Sequence, residues 1–274
     1  SVSDSKGCSQ SQSGSATIQV NPLPGGFISG STIVCQDDAS PIITLSGING
    51  AAPYSFAYHI NGGLSQSVSS GAGLNNVQLP VSTATPGIFS YTLDAVTDSN
   101  GCLQTSTGNA IIDVKASPIA TISGSTAVCR NAASPNITFT GSGGAGPYVF
   151  SYRINGGNTQ FISTGPGSST VQLPVATQTD GLYTYVLTGV QDSFGCSHVL
   201  NDTAFITIRP LPTATITNDY TVCAGSSIAL PIRFKGQHST PPYSFSYALN
   251  GGSSSLVSTA SGLDSVLVQG SASS

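Results

Sequence analysis

Residues 54–63 of this chain read Tyr-Ser-Phe-Ala-Tyr-His-Ile-Asn-Gly-Gly, and nearly the same ten residues return at 148–157 and at 243–252. The large side chains fall at every second position, which is the period of a β-strand that buries one face. The Asn-Gly pair that follows accepts the positive φ angles of a type I′ turn. The stretch therefore predicts a strand followed by a hairpin turn, in three copies.

The cysteines give this repetition a fixed length. They form two series with a step of 94 residues, namely Cys8, Cys102 and Cys196 in one and Cys35, Cys129 and Cys223 in the other. A period of this length is too long for a solenoid unit and suits a small autonomous all-β domain. Turn signals at short intervals, no helical period and about seven strands per repeat complete the pattern. The predicted fold class is all-β, with tandem immunoglobulin-like β-sandwich domains arranged head to tail.

Proline-bearing joints at 21–24, 116–118 and 209–212 predict where the repeats meet. They divide the chain into four parts: the C-terminal end of a preceding repeat (1–24), two complete repeats (25–117 and 118–210), and the N-terminal part of a further repeat (211–274). We therefore expect both ends of the sequence to cut through a repeat.

Composition excludes several classes of function. Charged residues make up 7% of the chain, against about 25% in an average soluble protein, and the net charge is −4 with no basic run. Such a chain cannot neutralise a row of phosphates, so we expect no nucleic-acid partner. No apolar run approaches the roughly 20 residues of a membrane helix, so we expect no membrane insertion in this segment.

Three motifs recur at the fixed step. Gly-Ser-Thr-x-Val-Cys ends at Cys35 and Cys129, Pro-Tyr-x-Phe-x-Tyr-x-Ile-Asn-Gly-Gly covers 53–63 and 147–157, and Asp-Ser-x-Gly-Cys ends at Cys102 and Cys196. Together they resemble the immunoglobulin-like and PKD-like repeats of very large surface adhesins from gliding, type IX-secreting bacteria, the SprB-like gliding-motility adhesins. The resemblance implies a fibrous, exported protein held outside the outer membrane at the bacterial cell surface.

The cysteines predict disulfides and an oxidising, extracellular compartment. Their spacing is regular, and they have neither a Cys-x-x-Cys arrangement nor a histidine partner, so zinc is disfavoured. Two pairings are open. The within-repeat pairs would be Cys35 with Cys102 and Cys129 with Cys196, but these positions belong at opposite poles of a sandwich. That separation favours a bond between neighbouring domains, Cys35 with Cys196.

No residue pattern predicts catalysis, a cofactor or a metal site. Histidines at 59, 198 and 238 do not recur between copies, and there is no Gly-x-Ser-x-Gly elbow or carboxylate pair. The aspartates that open the Asp-Ser-x-Gly turns could suggest calcium, yet Asp first and Gly last is what a type I turn prefers. The triplets Asp202-Thr-Ala and Asp264-Ser-Val make Thr203 and Ser265 candidate O-glycosylation sites.

The sequence thus predicts a structural segment of an extracellular filament or stalk whose work is mechanical reach and surface adhesion, with gliding motility implied by the resemblance. Its partners would be the neighbouring repeats, other copies of the filament or surface polysaccharide. The loops 47–52, 141–146 and 236–241 differ between copies, as recognition loops can. The alternatives are passive spacer repeats of a secreted enzyme and a laterally assembled extracellular fibre.

Overall fold

The structure is a computed structural model that describes residues 1–223, 228–249 and 251–270. The regular secondary structure of these residues consists of β-strands alone, so the predicted all-β fold is confirmed. The chain divides into two units, Ser1–Ser117 and Pro118–Ser274. The finer domain boundaries within the units stay a prediction.

The first unit holds a short N-terminal hairpin and the first complete repeat. Its strands are β1 Val2–Ser3, β2 Ser9–Gln10, β3 Gly25–Ser29, β4 Thr32–Cys35, β5 Ile42–Ile48, β6 Ser55–Ile60, β7 Gln66–Ser69, β8 Asn76–Pro80, β9 Gly87–Thr97, β10 Leu103–Thr105 and β11 Asn109–Lys115. The repeat is a two-sheet sandwich. One sheet has the order β3-β5-β8, and the other has the order β4-β11-β9-β6-β7 with β10 paired to β9.

The second unit repeats this plan and begins a third copy. Its strands are β12 Ile119–Ser123, β13 Thr126–Cys129, β14 Asn136–Ser142, β15 Val149–Ile154, β16 Gln160–Ser163, β17 Thr170–Pro174, β18 Gly181–Gln191, β19 Ser197–Arg209, β20 Thr213–Thr217, β21 Leu230–Gln237, β22 Ser244–Ala248, β23 Ser254–Ser258 and β24 Ser265–Gly270. The sheets of the second repeat are β12-β14-β17 and β13-β19-β18-β15-β16. The third copy has β20-β21-β24 and β22-β23.

The alternating pattern places the same positions in each core. Five large apolar residues of the first repeat are almost completely buried, and the residues 94 positions later in the second repeat are buried to the same degree. They are Ile43, Leu45, Phe56, Leu93 and Ile112 in the first repeat, and Ile137, Phe139, Phe150, Leu187 and Ile206 in the second. Full burial stabilises the fold by about 1.5–3 kcal/mol for each such side chain. The two complete repeats therefore bury the same set of positions in their cores.

The strand count differs from the prediction of about seven, because the first complete repeat has nine strands and the second has eight. The chain does not run as a single strand up to Cys35, because it breaks at Gly30 and crosses to the other sheet. Gly30 has φ 113° and lies against the carbonyl of Ile42, where a Cβ would clash. Cys35 is consequently the last residue of β4, in the opposite sheet from β3.

The Asn-Gly turns have the predicted geometry in the two complete repeats. Asn61 and Gly62 have φ 52° and 70°, and Asn155 and Gly156 have φ 49° and 71°. In the first repeat the turn is closed by a 2.9 Å hydrogen bond from the Gly63 N–H to the Ile60 carbonyl. The pairing with β7 resumes only at Gln66, so the connection is longer than a two-residue hairpin. In the third copy, Asn250 lies outside the described residues.

Candidate functional site

Each complete repeat has an end where the chain enters and an end where it leaves. In the first repeat the entry end carries the loop 47–53 and the turn 98–101, because the register pairs Gly25 with Ile48 and a carboxylate of the turn binds the loop. The exit end carries Cys35, which pairs with Lys115 at the end of β11. The terms entry end and exit end are used below for these two poles and for their equivalents in the second repeat.

The carboxylate of Asp98 fastens the entry end together. One oxygen accepts hydrogen bonds from the backbone N–H groups of Asn100 at 3.0 Å and Cys102 at 2.9 Å, and the other accepts one from Ala51 at 3.1 Å. Burial alone would raise the pKa of the Asp98 carboxyl, but the hydrogen bonds from Ala51, Cys102 and Asn100 outweigh it and lower that pKa. The aspartate thus holds a turn to a loop by accepting backbone hydrogen bonds.

The same arrangement recurs in the second repeat and, in reduced form, at the N-terminus. Asp192 accepts from Phe194, Cys196 and Ala145, while Asp4 accepts only from Lys6 and Cys8. The Asp-Ser-x-Gly pattern could suggest calcium, although the sequence favours a type I turn. Among the described residues, no three His, Cys, Asp or Glu side chains lie together in a group that could hold a metal ion.

The variable loops of the entry end are tied down by a tyrosine that follows each of them. The Tyr54 hydroxyl donates to the Gly50 carbonyl at 2.8 Å, and the Tyr148 hydroxyl donates to the Gly144 carbonyl at 2.9 Å. The Tyr243 hydroxyl makes the same bond to the carbonyl of Ser239. A glycine seven residues before each tyrosine allows the ring to lie against the backbone. This constant seven-residue spacing is visible in the sequence and is the signal that predicts the contact.

The cysteines fall into two oxidation states. Cys8, Cys102, Cys129 and Cys223 carry free thiols, whereas Cys35 and Cys196 are disulfide-bonded. The within-repeat pairs that the sequence left open, Cys35 with Cys102 and Cys129 with Cys196, therefore do not form. Their physical obstacle is distance, since each would have to join the entry end of a sandwich to its exit end. The partners of Cys35 and Cys196 stay a prediction.

Sequence reasoning missed an acid partner for His59. Its Nδ1 lies 2.8 Å from a carboxylate oxygen of Asp94, and the Ser65 hydroxyl donates to the other oxygen at 3.3 Å. Asp94 lies at a β-bulge, where the register of β9 against β6 shifts. The serine binds the carboxylate rather than the imidazole, so this contact does not activate its hydroxyl as a nucleophile.

The two remaining histidines are not part of this cluster. His198 is exposed on β19, and His238 lies in a loop of the third copy, where its Nδ1 is 2.9 Å from the Thr213 hydroxyl. The candidate glycosylation residues are both half-buried on strands. Thr203 pairs with Val186 in β18, and Ser265 pairs with Lys235 in β21. Their modification stays a prediction.

A cavity of about 460 Å³ lies in the third copy, between its two sheets. Its lining includes Ile216, Phe234, Tyr243 and Phe245. Ile216 is 65% exposed, whereas the matching Ile122 of the second repeat is 7% exposed. In the second repeat the matching region is covered by β18 and β19, and the described residues of the third copy contain no equivalent of these strands. The cavity is thus an uncovered core face.

No described helix has the length and apolar content needed to cross a bilayer. No family model matches the sequence. No curated protein matches it either.

Solved structures resemble the chain in fold. A variant of three successive immunoglobulin domains of titin aligns at 12% identity with a TM-score of 0.52, over 92% of this chain and 89% of that one. A marsupial T cell receptor aligns at 11% identity and TM-score 0.45, over 92% and 100%. A tetra-tandem repeat from the extending region of a large adhesion protein aligns at 16% identity and TM-score 0.32, over 91% and 66%. At such low identity, the titin alignment bears on the fold alone, and the chain is a tandem array of immunoglobulin-like sandwich domains.

Proposed function

We propose that this chain is a structural segment of an extracellular, repeat-built adhesin filament or stalk, and that its work is to carry tension. We further propose that the filament lies at a bacterial cell surface and takes part in adhesion and gliding motility. The segment performs no catalysis of its own in this account. Its contacts are with neighbouring repeats, other copies of the filament or surface polysaccharide.

The observation that carries the mechanical proposal is the pairing of the terminal strands. In the first repeat β4 runs parallel to β11, with register partners from Thr32 and Ile112 to Cys35 and Lys115. In the second repeat β13 runs parallel to β19 in the same way. Tension draws the first strand towards the entry end and the last strand towards the exit end, so the strands slide past each other. Their hydrogen bonds are loaded together in shear and do not open one after another.

What the copies share also favours a structural role. The shared residues are core side chains, turn aspartates and the tyrosines that hold the entry loops. The histidine–aspartate pair is not shared, since His59 and Asp94 of the first repeat are replaced by Arg153 and Thr188 in the second. A module selected for chemistry would be expected to repeat its reactive groups, whereas this one repeats its framework.

Location and biological role rest on two further points. Disulfide-bonded Cys35 and Cys196 suit an oxidising compartment. The Gly-Ser-Thr-x-Val-Cys and Asp-Ser-x-Gly-Cys motifs resemble repeats of type IX-secreted, SprB-like surface adhesins. These points support extracellular placement and adhesion, and the shear geometry explains why such a protein would use this sandwich.

The test is to shorten the array in the producing organism. Intact cells would be labelled with an antibody against these repeats, and cells with whole repeats deleted in frame would be compared with unaltered cells. We expect surface labelling in both and weaker attachment under flow with the shorter array. Loss of a secreted enzymatic activity with unchanged attachment would instead support the spacer alternative. Labelling only after cell lysis would contradict the proposed location.

A further inference from the structure

We infer that Cys35 and Cys196 are bonded to each other, so that a disulfide closes the joint between the first and second repeats. The inference deepens the proposed mechanical function and rests on it for its biological meaning. Its structural basis is the position of each cysteine within its own repeat, together with the free thiols of the other four cysteines.

Within the first repeat, Cys35 lies where the chain leaves the sandwich. Cys35 and Lys115 are register partners at the ends of parallel strands. The next residue, Gln36, donates its backbone N–H to the Lys115 carbonyl at 2.8 Å, and its own carbonyl accepts the Ser117 hydroxyl at 3.3 Å. Ser117 is the last residue of the unit. Cys35 is thus held close to the C-terminal end of the first repeat.

Within the second repeat, Cys196 lies where the chain enters. The first strand β12 begins at Ile119, which pairs with Ser142 at the end of β14. The loop that follows β14 is bound to the turn of Cys196, because Asp192 accepts from the backbone N–H groups of both Ala145 at 3.1 Å and Cys196 at 2.9 Å. Each cysteine therefore lies, within its own repeat, at the end that is next to residues 117–118 along the chain.

The two within-repeat pairs, Cys129 with Cys196 and Cys35 with Cys102, are too far apart to form disulfides. Cys196 directly precedes the thirteen-residue strand β19, whose last residue, Arg209, is the register partner of Cys129. At about 3.3 Å per residue this puts Cys129 and Cys196 on the order of 40 Å apart. The eleven-residue strand β9 separates Cys35 from Cys102 by about 30 Å in the same way. A disulfide needs Cα atoms within about 7 Å.

Formation of the bond is an ordinary thiol–disulfide exchange. One cysteine thiolate attacks the disulfide of an extracytoplasmic dithiol oxidant and forms a mixed disulfide. The second thiolate then displaces the oxidant's sulfur and closes the Cys35–Cys196 bond. The two thiols give up two protons and two electrons, and the oxidant's disulfide is reduced to a dithiol.

The bond would give tension a covalent route through the joint. Force entering at Gly25 would run along β3 and β4 to Cys35, cross to Cys196, and continue along β19 to Arg209. Residues 36–195, which include β11 and β13, would then leave the loaded path, so the shear pairing of the two repeats would carry tension only where this bond is reduced. Because the cysteines recur every 94 residues, Cys129 and Cys102 are the matching half-sites of the next joint and the previous one. With one disulfide at every joint, a filament of these repeats could lengthen no further than the strands that remain in the loaded path.

Peptide mapping without reduction tests the pairing. Free thiols are first blocked by alkylation, and the chain is cleaved before aspartate and after aromatic residues, which separates all six cysteines. We expect residues 28–36 to be joined to residues 195–201. In Cys35→Ser, Cys196 should become an alkylated thiol, whereas in the matched variant Cys129→Ser the linkage should remain. Linkage of 28–36 to 98–112, or alkylated Cys35 in the unaltered chain, would overturn the inference.

Stretching single molecules from both ends gives a second readout. The unreduced chain should extend less than the reduced chain or Cys35→Ser, because about 160 residues stay locked, or on the order of 50 nm at about 3.4 Å per residue. Cys129→Ser should behave like the unaltered chain. Equal extensions would overturn the inference and would leave the shear geometry, which is tested with thiols reduced, untouched.

Discussion

The hydroxyl of Tyr54 donates a 2.8 Å hydrogen bond to the carbonyl of Gly50, and the same hydroxyl accepts one from the Gly50 N–H at 3.2 Å. Tyr54 is 2% exposed, so a buried ring fastens to the core a loop whose sequence differs between the copies. This bond explains how loops of different sequence keep one shape at the entry end. It also restricts the loop 47–52, which the sequence offered as a candidate recognition loop.

Removing this hydroxyl should loosen the loop without unfolding the sandwich. In Tyr54→Phe we expect the free energy of local opening to fall by about 1 kcal/mol, the usual net value of one hydrogen bond. Hydrogen exchange measured by mass spectrometry should then be roughly five times faster in residues 47–53. Tyr58→Phe is the matched control, because its hydroxyl meets Gln66 at 3.3 Å, away from the loop. Equal acceleration in both variants would contradict a special role for Tyr54.

The tyrosine ring needs a glycine beneath it. A Cβ on Gly47 would lie 2.5 Å from the Tyr54 ring, closer than real carbon atoms approach. We expect Gly47→Ala to destabilise the first repeat by about 1–3 kcal/mol, the range for overpacking a filled site. Urea unfolding of the full chain should report the loss. Gly165→Ala is the control, since no atom lies within 4 Å of its added Cβ. If Gly47→Ala leaves the urea unfolding transition unchanged, the Tyr54 ring moves aside without cost and the prediction is wrong.

Acid should weaken the entry end through Asp98. Its pKa is lowered in the folded state by the bonds from Ala51, Cys102 and Asn100, so the unfolded chain binds the proton more readily. The stabilisation is therefore complete above the unfolded pKa, about 3.9 for aspartate, and is lost as the pH falls through the lower folded value. Hydrogen exchange in residues 47–53, corrected for the intrinsic effect of pH, should accelerate in that window.

Asp98→Asn isolates this effect. The variant lacks one of the acceptor oxygens, so its loop should already exchange faster at neutral pH, and the acid-dependent acceleration should be smaller. Asp4→Asn is the matched control, since Asp4 makes the same turn with no loop attached. An identical acid response in the Asp98 variant and the unaltered chain would mean that another group controls the loop.

Local pattern predicted much of this fold, and long-range pairing accounts for what it did not predict. The alternation from Tyr54 to Ile60 and the Asn61-Gly62 turn follow from neighbouring residues alone, and both have the predicted form. The break at Gly30 brings the backbone against the carbonyl of Ile42 in another strand, so it cannot be predicted from the residues around Gly30 alone. The pair His59 and Asp94 is likewise made by strand pairing across 35 residues and a bulge.

The parallel pairing of β4 with β11 leads to the most direct test of the mechanical account. The backbone N–H of Gln36 donates to the Lys115 carbonyl. Alternate residues of a strand direct their N–H groups to the same side, so the N–H of Val34 should also donate to a carbonyl of β11. Val34→Pro removes that bond at the loaded edge of the sheet. Val68→Pro makes the same change in β7, the opposite edge of the same sheet, with an equally half-buried valine packed on the same core.

The decisive measurement is the unfolding force of the first repeat when the reduced chain is stretched from both ends, with the second repeat as an internal reference. The account predicts two high-force events in the unaltered chain. Val34→Pro should clearly lower one of them, whereas Val68→Pro should leave its force nearly unchanged despite a similar loss of stability. Equal weakening by both variants, or unfolding of the unaltered repeats in small steps at low force, would contradict the claim that these sandwiches carry tension in shear.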